Sequence, residues 1–116
     1  MKKLSDFSGE KGIRIAAQVL SRIMRVLGNA RNLELAGERN PVLMFTAFME
    51  NSPKEMQEIF AILSEKDPDT YECDAAEAMT NMLILANDPI VVRLFISQRQ
   101  TGGATSSASA SGNTTE

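Results

Sequence analysis

The sequence predicts an all-α fold, a small bundle of about five to six short helices with a disordered C-terminal tail. Asn40-Pro41, Ser52-Pro53 and Asp88-Pro89 each place a capping side chain directly before a proline, which is a typical helix start. Apolar residues between these points recur with helical spacing. Residues 101–116 contain no large apolar side chain, so they cannot offset the entropy of ordering. We therefore expect a helical domain over residues 1–100 and a flexible Ser/Thr/Ala/Gly-rich tail over residues 101–116.

The first helix is predicted to be the longest, from a cap at Ser8 to about Leu27, where Gly28-Asn29 would supply a left-handed stop. At about 100° per residue, its apolar side chains cover more than half of its circumference. An arc this wide predicts packing against more than one neighbour, in the fold or in an oligomer. One part of the arc holds Ile13, Ala16, Ala17, Leu20, Met24 and Leu27, and Ile15, Val19, Ile23 and Val26 extend it.

The middle helices follow from their capping signals. A polar helical segment is expected over residues 30–38, and Asn40-Pro41 should begin a helix from Val42 to about Glu50. Ser52-Pro53-Lys54-Glu55 has the pattern of a capping box, and the helix it opens should end before Asp67-Pro68.

The last two helices are predicted from two acidic caps. Asp74 with Glu77 forms a second capping box, which opens a helix that Asn87 should stop. Asp88-Pro89 then begins a short helix through Ser97. Its β-branched residues would also suit a strand, but the capped proline favours a helix.

The residues that enzymes and metal sites commonly use are scarce. The chain has no histidine, and its single cysteine, Cys73, lacks the usual partner of a thiol nucleophile. The acidic run from Asp67 to Asp74 resembles a calcium loop, but it lacks the central glycine and the closing glutamate. No glycine-rich phosphate loop is present. We expect no enzyme activity, no metal and no cofactor.

The charges divide along the chain. Residues 1–39 carry eight basic and four acidic side chains, whereas residues 40–100 carry four basic and ten acidic ones. A basic face on the first helix could meet nucleic acid. The net charge of −3 opposes this, so we favour a solvated face or one that meets the acidic half of the same or a neighbouring chain. This basic face consists of Lys11, Arg14, Arg22 and Arg25.

Apolar residues exceed what so short a chain can easily cover. The helix over residues 42–49 is apolar nearly all round, as in a central core helix or one between subunits. Methionine also suits adaptable binding surfaces. The candidate protein-interaction residues are Met44, Phe45, Phe48, Met49, Leu94 and Phe95, and the alternative is that they are core.

Three segments resemble a known family. They are residues 3–10 (KLSDFSGE), residues 59–72 with IFAIL followed by DPDTYE, and residues 85–98 with LANDP and LFISQ. Together they resemble the phage and prophage tail assembly chaperones of long-tailed phages, in their short form. The resemblance spans most of residues 3–100, and the Arg-rich first helix departs from it.

The resemblance implies a helical, non-enzymatic protein that coats the tape-measure protein, keeps it soluble and helps recruit tail-tube subunits. It also implies work in the host bacterial cytoplasm, absence from the mature virion, and in many members a longer frameshifted form. No signal peptide or membrane span is expected, because Leu4–Phe7 is followed by polar residues. Two alternatives stay open: a small DNA-binding regulator that uses the basic face, and a structural or adaptor subunit of a phage particle.

Overall fold

The computed structural model describes residues 1–37 and 40–104, with side chains as far as Gln98. Within these residues the chain forms a 3-10 turn, six α-helices and no strand, which confirms the predicted all-α bundle. The stretch over residues 89–97 is helical, so the strand alternative is wrong. The turn is Leu4–Asp6, and the helices are α1 Gly9–Leu27, α2 Ala30–Leu35, α3 Pro41–Asn51, α4 Pro53–Leu63, α5 Ala75–Ala86 and α6 Pro89–Ala104.

The predicted tail lies largely outside the described residues. The backbone of α6 continues to Ala104, beyond the end predicted near Ser97. Residues 105–116 of the predicted tail are not among those described.

Three of the predicted caps are confirmed by hydrogen bonds. Asn40 Oδ1 accepts the N–H of Val42 at 3.0 Å. Asp74 Oδ1 accepts the N–H of Glu77 at 2.8 Å, and Asp88 Oδ1 accepts that of Ile90 at 3.1 Å. Each cap satisfies an otherwise unpaired helix N–H, which stabilises the fold by about 1 kcal/mol.

Other predicted helix ends have a different physical basis. Ser52 precedes α4, but its hydroxyl makes no capping bond and instead accepts the Asn32 side-chain N–H at 2.9 Å. Ser8 precedes α1, also without a side-chain cap. Gly28 has φ −69°, so the predicted left-handed stop is wrong. Asn29 instead caps the start of α2, because its Oδ1 accepts hydrogen bonds from the backbone N–H groups of Arg31 and Asn32.

The core lies where α1 packs against α4 and α6 and where α3 packs against α5. Phe95 of α6 sits at its centre, with ring centroids 5.3 Å from Phe45 and 4.9 Å from Phe48. The wide apolar arc of α1 does meet more than one neighbour, as its width predicted. The buried side chains of α1 are Val19, Ile23, Val26 and Leu27.

Candidate protein-interaction surface

Four of the six predicted interaction residues belong to the core. Met44, Phe45, Phe48 and Phe95 have no exposed surface, so for these four residues the alternative that they are core is confirmed. The reason is that α3 lies centrally between α2, α4 and α5, and its aromatic rings pack against Phe95. The buried side of α3 is therefore that of a central core helix, whereas Val42 and Leu43 of the same helix are 37% and 59% exposed.

The other two predicted residues are partly accessible. Met49 and Leu94 are both half-buried at the edge of the core. Met49 also lines a cavity of about 180 Å³ between α3, α4 and α5. Cavities of about 150 Å³ accept a benzene ring, so this one has room for a single large apolar side chain. Its walls are Met49, Pro53, Met56, Gln57, Phe60, Cys73, Asp74, Ala75 and Ala78.

Cys73 forms part of this cavity wall. Its thiol lies 3.8 Å from Oε1 of Gln57, and burial raises the pKa of the Cys73 thiol. A raised pKa disfavours the reactive thiolate. This agrees with the interpretation of Cys73 as a plain structural residue.

The most extended exposed apolar feature is on α1. Ile13 is 72% exposed and Met24 is 58% exposed, with Ala17 exposed and Leu20 half-buried between them. We call these four residues the α1 stripe. Their spacing alternates four, three and four residues, which aligns side chains into a seam along one side of a helix. Sequence reasoning placed all four on the wide apolar arc but did not separate this uncovered part from the buried part.

The basic face of α1 is largely paired within the chain. The Nε of Arg22 lies 3.2 Å from Oε1 of Glu58, and Nη1 of Arg25 lies 3.8 Å from the same atom. Lys11 pairs with Glu65, which follows α4. The interpretation that this face meets the acidic half of the same chain is therefore confirmed for these three cations.

Arg14 differs from the other members of the basic face. Its only described ion pair is with Glu10, one turn earlier on α1, at 3.6 Å. Both side chains are largely solvent-exposed. Such exposed pairs stabilise a helix by only about 0.3–0.5 kcal/mol, so Arg14 is available to a partner.

Glu65 has a strongly lowered pKa because two lysines contact its carboxylate. Lys11 and Lys2 both donate to its carboxylate, and they lower the pKa of Glu65 from 4.5 to about 2. The same ammonium groups of Lys2 and Lys11 lie 5.7 Å and 6.0 Å from the centroid of the Phe7 ring. This cluster holds the N-terminal segment against the end of α4.

A second, smaller exposed apolar group is on α5. Met79 is 61% exposed and Leu83 is 46% exposed, and the two lie one helical turn apart. This pair spans a single helical turn, whereas the α1 stripe spans about three. The basic face is on α1, so it does not include any residue of α5. Met79 therefore provides a matched exposed methionine for mutational comparison with Met24.

Among the described side chains, no group of His, Cys, Asp and Glu could hold a metal ion. No single described helix is long and apolar enough to cross a membrane, although α5 and residues 89–98 together pass that test with an 80° bend between them. Comparisons with protein-family models, curated proteins and solved structures found no match for this chain.

Proposed function

We propose that this protein is a tail assembly chaperone, which binds and solubilises the tape-measure protein during phage tail morphogenesis and helps recruit tail-tube subunits. The observation that carries the proposal is the α1 stripe, an exposed apolar seam on a small domain. Exposed apolar seams of this kind accept amphipathic helices. The three sequence segments that resemble tail assembly chaperones support the same assignment.

The physical requirement for such a chaperone is a way to cover apolar helix faces reversibly. A long helical protein exposes such faces until it is assembled, and it aggregates through them. The α1 stripe offers an extended apolar row that contains a flexible methionine, Met24. Many copies of so small a domain could cover successive segments of one long client.

Co-expression with the tape-measure protein encoded nearby tests the proposal. We expect the client to become soluble and to co-elute with many copies of this chain in size-exclusion chromatography with light scattering. An unrelated aggregation-prone helical protein is the matched control, and it should stay insoluble. If the tape-measure protein also stays insoluble and this chain elutes alone, the proposal is wrong.

Purified virions test the alternative of a structural or adaptor subunit. A chaperone leaves the particle before completion, so we expect mass spectrometry of mature virions to detect the tape-measure protein but not this chain. Its presence at a fixed ratio to a tail protein would contradict the chaperone assignment.

A further inference from the structure

The cavity between α3, α4 and α5 has a buried apolar floor and an exposed mouth. Met56 and Phe60 are 1% and 2% exposed, whereas Pro53 and Ala75 of the same wall are exposed to solvent. Space remains between them because Ala75 and Ala78 of α5 line the cavity with a single methyl group each. An apolar side chain that enters from solvent is therefore buried against an existing apolar surface.

The size of the cavity selects among possible ligands. Sites for cofactors and drug-sized molecules measure about 300–1,000 Å³, whereas this cavity measures about 180 Å³. It suits one large side chain, such as phenylalanine or leucine, better than a free small molecule. Such a side chain binds mainly through the apolar area that it removes from water.

Two polar side chains of the wall have unused hydrogen-bonding capacity. Oε1 of Gln57 accepts the backbone N–H of Cys73 at 3.3 Å, which leaves the Gln57 side-chain N–H groups without an acceptor among the described residues. Oδ1 of Asp74 accepts the N–H of Glu77 at 2.8 Å, while its Oδ2 has no donor among them. The wall therefore offers a ligand one amide donor and one charged acceptor.

The surroundings of the cavity are acidic. Asp74 is the one charged residue among the nine described residues of the wall. Five glutamates and one lysine stand next to wall residues in the sequence, and only Glu58 of these glutamates is paired with arginines of α1. A negative environment of this kind favours a ligand that carries a lysine or arginine. The other five neighbours are Glu50, Lys54, Glu55, Glu72 and Glu77.

We propose that this cavity binds one large apolar side chain from an extended segment of another protein, with a lysine or arginine of that segment close to Asp74. A backbone carbonyl of the segment accepts a hydrogen bond from the Gln57 side chain. The apolar floor supplies affinity, and the two polar groups select the charge and backbone conformation of the segment. The site lies on other helices than the α1 stripe, and it does not depend on the proposed function.

An extended segment fits this site better than a second copy of the described domain. The exposed large apolar residues of the described chain all lie on helices, including Met24 on α1 and Met79 on α5. Carbonyls within a helix already accept backbone N–H groups, so a helix face that supplied the apolar side chain would offer few acceptors to Gln57. An extended segment has free carbonyls beside each of its side chains.

Three blocked peptides test this inference on the full-length protein. The first is Gly-Lys-Gly-Phe-Gly-Lys-Gly, in which the lysines and phenylalanine share one face of an extended chain. The second has glutamate in place of both lysines, and the third has alanine in place of phenylalanine. NMR titration of the labelled protein follows the backbone amide signals of Gln57, Cys73 and Ala78, which lie in the wall.

We expect the lysine–phenylalanine peptide to cause saturable shifts, with a dissociation constant on the order of 1 mM. The glutamate peptide should bind at least about fivefold more weakly at low salt, and the difference should shrink as salt is added. The alanine peptide should cause no saturable shift. Equal binding of the lysine and glutamate peptides, or no saturable shift with either, would overturn the inference.

Matched variants locate the site. Ala78→Leu fills the cavity and should abolish binding of the lysine–phenylalanine peptide. Asp74→Asn can still cap α5 but has no charge, so it should remove most of the preference for lysine over glutamate. Asp69→Asn neutralises an exposed acid outside the wall and should keep that preference. Unchanged binding by Ala78→Leu, or an equal loss of preference in the two Asn variants, would contradict the proposed site.

Cys73 provides a second measurement that needs no variant. It is the only cysteine of the chain, and it lines the cavity in a half-buried position. A saturating concentration of the lysine–phenylalanine peptide should slow alkylation of Cys73 by iodoacetamide several-fold, whereas the alanine peptide should not. An unchanged rate would show that the peptide does not enter the cavity.

Two further outcomes would also overturn the inference. If light scattering shows a wild-type oligomer that Ala78→Leu converts to a monomer, a second copy occupies the cavity. If Ala78→Leu raises the melting temperature and no peptide binds, the cavity is a packing defect only. Because none of these tests uses the tape-measure protein, their failure is distinguishable from failure of the co-expression experiment.

Discussion

The backbone N–H of Leu4 donates a hydrogen bond to Oδ2 of Asp88 at 3.0 Å, across 84 residues of sequence. The other carboxylate oxygen of Asp88 accepts the N–H of Ile90 at the start of α6. Asp88 is only 2% exposed, so both bonds are partly buried. One side chain thus caps the last helix and anchors the N-terminal turn to it.

Replacing Asp88 should therefore lower the free energy of unfolding by more than the removal of an ordinary helix cap does. Asp88→Ala should lower the free energy of unfolding by about 2–3 kcal/mol, because it removes a helix cap and leaves the Leu4 N–H unpaired. Asp88→Asn should fall between this and wild type, since its amide can still cap α6. Urea denaturation measures both. The matched control is the exposed cap Asp74→Ala, with an expected loss of about 1 kcal/mol, and equal losses at the two sites would contradict the double role.

Asn32 is the second buried polar junction. Its side-chain N–H groups reach the Val26 carbonyl at 2.8 Å and the Ser52 hydroxyl at 2.9 Å, and its Oδ1 accepts from Asn51 at 3.1 Å. These bonds tie α2 to the end of α1 and to the corner between α3 and α4. Asn32→Ala would leave several partly or fully buried groups unpaired, so we expect a loss of about 2–4 kcal/mol.

Thermal and urea unfolding would measure the effect of Asn32→Ala. Asn87→Ala serves as the control, because Asn87 is exposed and its described side-chain hydrogen bond is local, to the carbonyl of Leu83 in the helix that it ends. The control should change stability by less than about 0.5 kcal/mol. A similarly small effect of Asn32→Ala would show that the junction is dispensable.

The Glu65 cluster predicts a pH dependence of stability. The pKa of Glu65 is lowered to about 2 in the folded state, chiefly by Lys11 and then by Lys2, from an ordinary value of 4.5. A lowered carboxyl pKa stabilises the folded state fully above pH 4.5, and this contribution is lost as the pH falls toward 2. The wild type should therefore be more stable than Glu65→Gln at pH 7, and the gap should close below pH 4.5.

Urea denaturation of both proteins between pH 7 and pH 2 measures this gap. Added salt should also narrow it at pH 7, because the cluster is solvent-exposed and therefore screened. A gap that stays constant across the pH range would mean that the ion pairs contribute nothing to stability.

The ion pairs of the basic face also predict that this protein does not bind nucleic acid. Arg22 is held against Glu58, and Lys11 against Glu65, so few cations of this face are free to meet phosphates. We expect no measurable binding to a labelled DNA duplex by fluorescence anisotropy, even at low salt. Binding that falls steeply with salt, and that Arg22→Ala and Arg25→Ala remove while Lys54→Ala does not, would support the DNA-binding alternative instead.

Much of the helical framework could be predicted because capping is local. Asn40, Asp74 and Asp88 each bond to an N–H two or three residues further on, so the sequence pattern contains both partners. Ser52 has the same pattern, yet its hydroxyl bonds to Asn32, 20 residues away. A partner that distant becomes available only when α2 folds against the start of α4.

The candidate site was less predictable, because exposure is not local. Met44, Phe45 and Phe48 have the composition of an adaptable binding helix, and the structure buries them completely. Leu94 and Met49 are partly covered by the same packing. Residue type indicates that a side chain prefers burial but does not identify what covers it.

The sequence by itself determined that this chain is helical and that its charges separate into a basic first third and an acidic remainder, since both properties depend on residues close together in the chain. Only the tertiary structure decided which part of the apolar arc of α1 is covered. Ile23 and Val26 are buried, whereas Ile13 and Met24 face solvent, although all four are apolar residues of one helix. The difference arises because α4 and α6 pack against the side of α1 that carries Ile23 and Val26, and the positions of α4 and α6 depend on contacts between distant parts of the chain.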